Sequence, residues 1–328
     1  MHPASSVHPP HDQEQLLFER LRQKYALTGQ DLSSYLEGLL HARYLTYWDY
    51  LHLDTLLSLQ QPRTDFADET IFIVYHQITE LYFKLIQLEL DQLRTGPQTP
   101  DAWHLRLRRL VAYFRQLTTS FDTMVAGMDP QQFLQFRMAL LPASGFQSVQ
   151  FREIELKLTA IQQLVDAAHR TELAQAAPEQ AYPLAYWKQG NREAATNEKT
   201  LTLKMFEARY DTELLALAQH TQHTNLRAQW LATPSLKADP GLGKALRQLD
   251  LQANVFWRLA HYKSAVRYLQ KDPDVIKATG GTNWQQYLPP RFQQVVYFPE
   301  VWTDEELQNW GRDWVVQLFK TQVEDSWG

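Results

Sequence analysis

The chain has 328 residues, 44% of them hydrophobic, enough to bury a large core. Its net charge of -5 carries no basic block of the kind that tracks a phosphate backbone, which argues against a nucleic-acid partner. With no cysteine, disulfides, zinc–thiolate sites, iron–sulfur clusters and thiolate-ligated haem are excluded together, and a reducing, cytoplasmic setting is the expectation.

The first segment, residues 1–14, is rich in His, Pro and Ser without an apolar run, and reads as a disordered arm rather than a signal peptide. From there to residue 328 the apolar spacing is helical almost throughout. Leu16, Leu17, Leu21 and Tyr25 form one stripe, and a second pattern runs from about Leu32 to Leu45. A very long pattern, about Phe66 to Leu93, is stopped by Gly96-Pro97. Thr99-Pro100 and Asp129-Pro130 read as helix starts, with Pro at the first helical position. Pro142-Ala143-Ser144-Gly145 is a tight corner, and a helix is predicted from about Phe146 to Ala168. Residues 172–192 have no period and read as an excursion between core helices. Helical patterning resumes over about Glu193–Gln219 and Leu242–Gln270, and Thr303-Asp304-Glu305-Glu306 is a capping box for a last helix through Trp310 and Trp314. No run is long and apolar enough for a membrane span. The prediction is one all-α domain over residues 15–328.

Two histidines lie inside strongly apolar helical stretches, where a polar ring needs a partner. His261 shares its helix face with Trp257, Ser264, Ala265 and Tyr268. The small residues leave room for a flat macrocycle ligated by the imidazole. Arg258, Lys263 and Arg267 flank it as candidates to pair with haem propionates. His76 has Phe72 one turn before it and Glu80 one turn after, and fits a hydrogen bond to a ligand in an aromatic slot. On the residues alone both rings fit better as core histidines satisfied by a neighbour, His261 by a carbonyl and His76 by Glu80 within its helix. Arg137 follows Phe133 and Phe136 on an apolar face, where a guanidinium wants a carboxylate. That carboxylate is a ligand's or that of Glu153 or Glu155. Thr279-Gly280-Gly281 allows close backbone approach to a ligand, or is an ordinary loop. His220 and His223 sit in polar surroundings and read as a solvated face rather than a metal pair.

Several runs together resemble the tryptophan 2,3-dioxygenase family. They are Leu45-Thr46-Tyr47 with Tyr50-Leu51 and Leu53-Asp54; the Phe72–Leu81 run around His76; Phe136-Arg137; Pro142 with Ser144-Gly145-Phe146-Gln147-Ser148 and Gln150; Trp257-Arg258 with His261; Thr279-Gly280-Gly281; and Phe298-Pro299-Glu300. They follow the family's order over residues 40–302, with a poor match over 157–239. The resemblance implies cleavage of the indole C2–C3 bond of L-tryptophan with O2 to N-formylkynurenine, on haem b, in a homotetramer. It implies His261 as proximal iron ligand, and Ser144, Gly145 and Trp257 beside the haem. It implies His76 against the indole N–H, Phe72 as pocket wall, Arg137 on the carboxylate and Thr279 on the amino-acid head group. Tyr47 and Tyr50 would reach a neighbouring subunit's pocket. Phe133 replaces a frequent tyrosine near the substrate carboxylate, Ala278 replaces a glycine, and Asn283-Trp284 replaces a Ser-Gly pair. These departures leave two other readings open: a related haem enzyme that acts on a modified tryptophan or hydroxylates an aromatic amino acid, and a non-enzymatic haem binder.

Overall fold

The computed structural model describes residues 11–26, 31–42, 45–193, 196–271, 274–275 and 289–311. The fold is all-α, apart from a two-residue antiparallel pairing of Gln270–Lys271 with Asp274–Val275. The chain divides into two compact units, residues 1–59 and 60–328.

The first unit holds α1 (His11–Ala26), α2 (Leu32–His41), α3 (Tyr47–Leu51) and α4 (Leu53–Leu57). Residues 1–10 of the expected arm lie outside the described residues, and 11–14 belong to α1. The Asp31 carboxylate caps α2 through the Ser33 N–H, and the Thr46 hydroxyl caps α3 through the Asp49 N–H. Tyr25 and Tyr35 stack at 4.5 Å between α1 and α2.

The second unit is organised on a long helical hairpin, α5 (Asp68–Thr95) and α6 (Pro100–Val125). On α5, Tyr75, Thr79, Phe83, Ile86, Leu90 and Leu93 recur at three- and four-residue spacing and are buried. On α6, Trp103, Leu107, Leu110, Phe114, Leu117, Phe121 and Met124 alternate four- and three-residue steps and are buried too. The two helices pack along these stripes. The buried Glu89 carboxylate joins them, accepting from Arg106 Nη1 at 2.8 Å and Arg109 Nη1 at 3.1 Å. At the turn, a Cβ on Gly96 would lie 2.5 Å from the Gln92 carbonyl oxygen, so the chain needs glycine there.

Next come α7 (Pro130–Phe136), capped by the Asp129 carboxylate on the Gln131 and Gln132 N–H groups, and α8 (Val149–Leu158), capped by the Ser148 hydroxyl. The helix expected to reach Ala168 ends ten residues early. Thr159 turns extended and a 3-10 turn follows at Ile161–Leu164. The non-periodic excursion contains α9 (Pro178–Ala181) and α10 (Tyr186–Gln189) and sinks Tyr182, Tyr186 and Trp187 into the core. Then follow α11 (Leu201–Thr221), α12 (Leu226–Ala232), α13 (Pro234–Lys237) and α14 (Pro240–Asp250).

The single pattern read over 242–270 is interrupted by a π-helical stretch, Leu251–Phe256, before α15 (Trp257–Leu269). A π turn carries an extra residue per turn and rotates the face that follows, which a 3.6-residue period does not reveal. The buried Asp250 carboxylate marks the junction. It accepts from the Tyr297 N–H at 2.7 Å, the Phe298 N–H at 3.0 Å and Trp302 Nε1 at 3.2 Å. The short α16 (Pro290–Gln293) and α17 (Asp304–Gln308) complete the described chain. The Thr303–Glu306 capping box forms as expected, with Trp310 buried beyond it; Trp314 lies outside the described residues. Among the described residues no helix is long and apolar enough to cross a membrane.

Candidate functional site

The open end of the hairpin, with α7 and α15, carries the site. The N-terminal half of α5 supplies Phe72, Tyr75 and His76, and the C-terminal half of α6 supplies Phe121 and Met124. From α7 come Phe133 and Phe136, and α15 adds Trp257, Ala260, Ala265 and Tyr268 to the same aromatic cluster. Cross-bonds between chain segments set the register. The Asp129 N–H donates to the Asp68 carboxylate at 2.6 Å and the Asp68 N–H donates to Gln132 Oε1 at 3.3 Å, locking the start of α7 to the start of α5. Phe72 then meets Phe133 at 6.2 Å and Phe136 edge-on at 5.9 Å, within the range of favourable ring pairs.

His76 is partly buried on α5. Its Nδ1 lies 2.7 Å from the Phe72 carbonyl oxygen. A carbonyl only accepts, so Nδ1 carries the proton and Nε2 is left with a lone pair. Burial lowers the ring's pKa, against the opposing effects of the Phe72 carbonyl and the Glu80 charge, so the imidazole is neutral at pH 7. Glu80 is itself engaged by Gln150 Nε2 at 2.7 Å. The Phe72 ring tilts against the His76 ring at 4.1 Å.

His261 sits on α15 with its ring stacked on Phe121 at 5.5 Å and 23°. Its side chain keeps exposed surface, yet surrounding protein strips enough water to lower its pKa to about 4. Burial is the leading cause, followed by the charges of His76 and Arg258. Phe121 in turn packs against Tyr75 at 5.3 Å, and Tyr75 meets the His76 ring edge-on at 5.3 Å, so both histidines border one aromatic cluster. His76 disfavours protonation of His261, so the two rings lie within electrostatic reach of each other.

The donor set suits a macrocyclic metal. A neutral imidazole offers one nitrogen, and among the described residues there is no group of three or more metal-ligating side chains, as a metal bound by protein alone would require. Beside His261, Ser264 and Ala265 are small. One turn before it, the buried Trp257 Nε1–H has no acceptor among the described residues, a donor suited to a polar group at the site. Trp257 packs edge-on against Phe83 at 5.7 Å and against Phe151 at 4.7 Å.

Arg137 is buried at the end of α7, and desolvation lowers its pKa without approaching neutrality. The carboxylates weighed as its partners are engaged elsewhere: Glu153 accepts from Gln87 Nε2 at 2.8 Å, and Glu155 is held by Arg152 and Arg258. Phe133 lies between Phe72 and Tyr268, 4.8 Å from the latter. The Tyr268 hydroxyl donates to the Met124 carbonyl, which anchors this wall to the end of α6.

Ser144 and Gly145 form a 3-10 corner in which the Ser144 N–H donates to Gln147 Oε1 at 3.2 Å. Thr202 Oγ1 donates to the Pro142 carbonyl at 3.1 Å, which ties the corner to α11. Gly145 is exposed, with nothing within 4 Å of where a Cβ would stand. Tyr47 and Tyr50 belong to the first unit, 69% and 70% exposed, on an open cleft with Leu40 and Leu45. Thr279 lies outside the described residues. His220 meets Arg94 at 3.3 Å on the exposed face, as its polar setting suggested.

One expectation is corrected. Arg258 does not flank the site as a propionate partner. It points into the core, where it joins Glu155, Tyr186 and Tyr297. The sequence reading missed this cluster. Its signal was a glutamate on the apolar face Phe151–Ile154–Glu155–Leu158 of α8, a buried position that only a cation would make tolerable.

With this geometry in place, comparison with known proteins is decisive. The chain is 32% identical over 280 residues to the tryptophan 2,3-dioxygenase of Ruegeria pomeroyi, covering 80% of this chain and 92% of that protein. It belongs to the tryptophan 2,3-dioxygenase family. The family's sequence model matches residues 39–180. A tryptophan 2,3-dioxygenase of Pseudomonas fluorescens is 33% identical over 269 residues, 79% of this chain and 89% of its own. In this member of the tryptophan 2,3-dioxygenase family the family match spans both α5 with His76 and α7 with Arg137.

Proposed function

We propose that the protein cleaves the indole C2–C3 bond of L-tryptophan with O2, giving N-formylkynurenine with one oxygen atom on each former ring carbon. The carrying observation is the pair of neutral histidines bordering one aromatic cluster, His261 with a lone pair for a metal and His76 with its Nε2 lone pair turned from the Phe72 carbonyl. Membership of the family supports the same reading.

Haem b would be held by the His261 imidazole, and when bound would supply the iron chemistry that activates O2. The chain's own residues hold the substrate. His76 Nε2 accepts from the indole N–H, because a neutral ring with Nδ1 committed has no other role to offer a donor. Phe72 covers one side of the indole, and Phe133 extends the aromatic wall. Arg137 pairs with the substrate carboxylate in a desolvated setting, where a charged contact counts for more than in water. Thr279 contributes to the head-group site. Ser144, Gly145 and Trp257 border the haem, and Tyr47 and Tyr50 complete a neighbour's pocket in a cytoplasmic homotetramer. Holding the indole in place converts a bimolecular encounter into an oriented one, the main service the protein renders.

The test is to load the full chain with haem, reduce it, add L-tryptophan under air and weigh the product. A gain of two oxygen atoms is expected. A gain of one would favour the hydroxylase reading, and no turnover would leave a haem binder.

A further inference from the structure

Of the five methionines, Met124 and Met128 are buried in the aromatic cluster of the open end, and Met138 and Met205 reach solvent among the described residues, 55% and 49% exposed. Met138 has a contact that ties it to the site. Arg137 ends α7 and opens a 3-10 turn, Arg137–Leu140. The Arg137 side chain is buried, and that of the next residue emerges. The Met138 side chain folds back across this step, and its Sδ accepts from Arg137 Nη2 at 3.7 Å. An exposed thioether therefore rests on the guanidinium assigned to the substrate carboxylate.

A thioether is a weak acceptor, so this contact steadies the guanidinium without claiming its donors strongly. Oxidation changes that. A sulfur lone pair attacks one oxygen of hydrogen peroxide, an S–O bond forms, the O–O bond breaks, and the second oxygen leaves as water. Sulfur gives up two electrons and the peroxide takes them. The product, methionine sulfoxide, is polar, and its oxygen is a far better acceptor than the sulfur it replaces. Beside a guanidinium that oxygen makes a charge-assisted hydrogen bond, the stronger kind. Exposure admits the oxidant to Met138, and burial shields Met124 and Met128.

We propose that Met138 is an oxidation site that regulates substrate binding: its sulfoxide oxygen takes up the Nη2 donors of Arg137 and competes there with the carboxylate of tryptophan. The inference rests on the role given to Arg137 above. A carboxylate that must displace this oxygen binds about tenfold more weakly, the low end for one hydrogen bond to a charged group. A methionine sulfoxide reductase reverses the change. Two thiols close to a disulfide, the sulfoxide oxygen leaves as water, and the thioether returns.

The experiment treats the full chain with hydrogen peroxide before haem is added, so that no iron consumes the oxidant, and then loads haem. Peptide mass reads oxygen at Met138, and calorimetry reads tryptophan binding. Wild type is expected to gain one oxygen at Met138, to bind tryptophan about tenfold more weakly than the untreated protein, and to recover with methionine sulfoxide reductase and dithiothreitol. M138L should bind alike before and after treatment, and M205L should lose as much affinity as wild type. An unmodified Met138 where Met205 is oxidised, an oxidised Met138 with unmoved affinity, or a loss that persists in M138L overturns the proposal. R137L separates this proposal from the reading beneath it. If untreated R137L binds tryptophan as tightly as wild type, the carboxylate role of Arg137 itself fails. If it binds weakly and is indifferent to peroxide, the route from Met138 through Arg137 is supported. If it binds weakly and still loses affinity on oxidation of Met138, Arg137 keeps its role and only the regulation by Met138 is sunk.

Discussion

The two ends of the α5–α6 hairpin are built from the same helices and packed differently. Toward the turn end, Leu107, Leu110, Phe114 and Ile86 are completely sealed (0% exposed) in one apolar core shared with α8 and α14. At the other end Phe121 and Phe133 retain 7% and 8%, Phe72 is only half-buried, and His261 keeps exposed surface. The turn end stores the fold's stability in close packing. The open end forgoes some of that packing to present two neutral imidazoles and a guanidinium. Substitutions at the first should therefore cost folding and spare binding, and those at the second should do the reverse.

The largest expected effect is at the sealed end. Phe114→Ala deletes a ring with no solvent contact and should destabilise the protein by about 3–5 kcal/mol. Chemical denaturation reads this, and tryptophan affinity of the surviving folded fraction should stay at the wild-type value. At the open end, Arg137→Leu should weaken tryptophan binding by about 1.5–3 kcal/mol, the usual cost of a charged hydrogen bond. Its denaturation midpoint should move little, because the leucine fills an apolar setting. Equal losses of stability and affinity in either variant would erase the distinction between the ends.

Next in size is the histidine of the open end. Burial lowers the pKa of His76 below the ordinary 6.5, so its Nε2 stays a lone-pair acceptor as the pH falls past that value. The acid limb of kcat/KM should lie below pH 6.5. The unfolded chain protonates this ring near 6.5 while the folded chain does not, so the same shift makes stability fall as pH drops below 6.5. His76→Asn should remove the acid limb, lessen but not abolish the stability loss, since His261 is lowered as well, and cost about tenfold in kcat/KM, near one hydrogen bond. A limb at or above 6.5 would count against a desolvated neutral ring. The smallest effect is at the helix that delivers Arg137. Asp129→Ala removes the cap on Gln131 and Gln132 and should cost about 1 kcal/mol in stability.

The sequence revealed the sealed end more fully than the open one. A run of apolar residues at three- and four-residue spacing announces a buried helix face, and α5, α6 and the turn at Gly96 were legible from it. His76, Arg137 and His261 were singled out because polar groups on apolar faces need partners, Phe72 and Phe133 through the family resemblance, and the fold brings α5, α7 and α15 to one aromatic cluster. Other features follow from pairings that no local pattern encodes. Arg258 looked like a surface cation beside His261, but a carboxylate 103 residues earlier in the chain turned it inward. The π turn before α15 and the early end of α8 at Thr159 depend on Asp250 and on extended backbone geometry rather than on periodicity. The non-periodic excursion proved to be core, since short helices bury residues without establishing a period.

His261 is proposed as the residue through which the open end holds iron. The most direct measurement is the absorption and resonance Raman spectrum of the ferrous haem-loaded protein, wild type beside His261→Ala. The account predicts an iron–histidine stretch and a strong Soret band in wild type, and loss of the stretch with loss of bound haem in the variant. A variant that keeps both would show that another residue ligates the metal, and would contradict the claim.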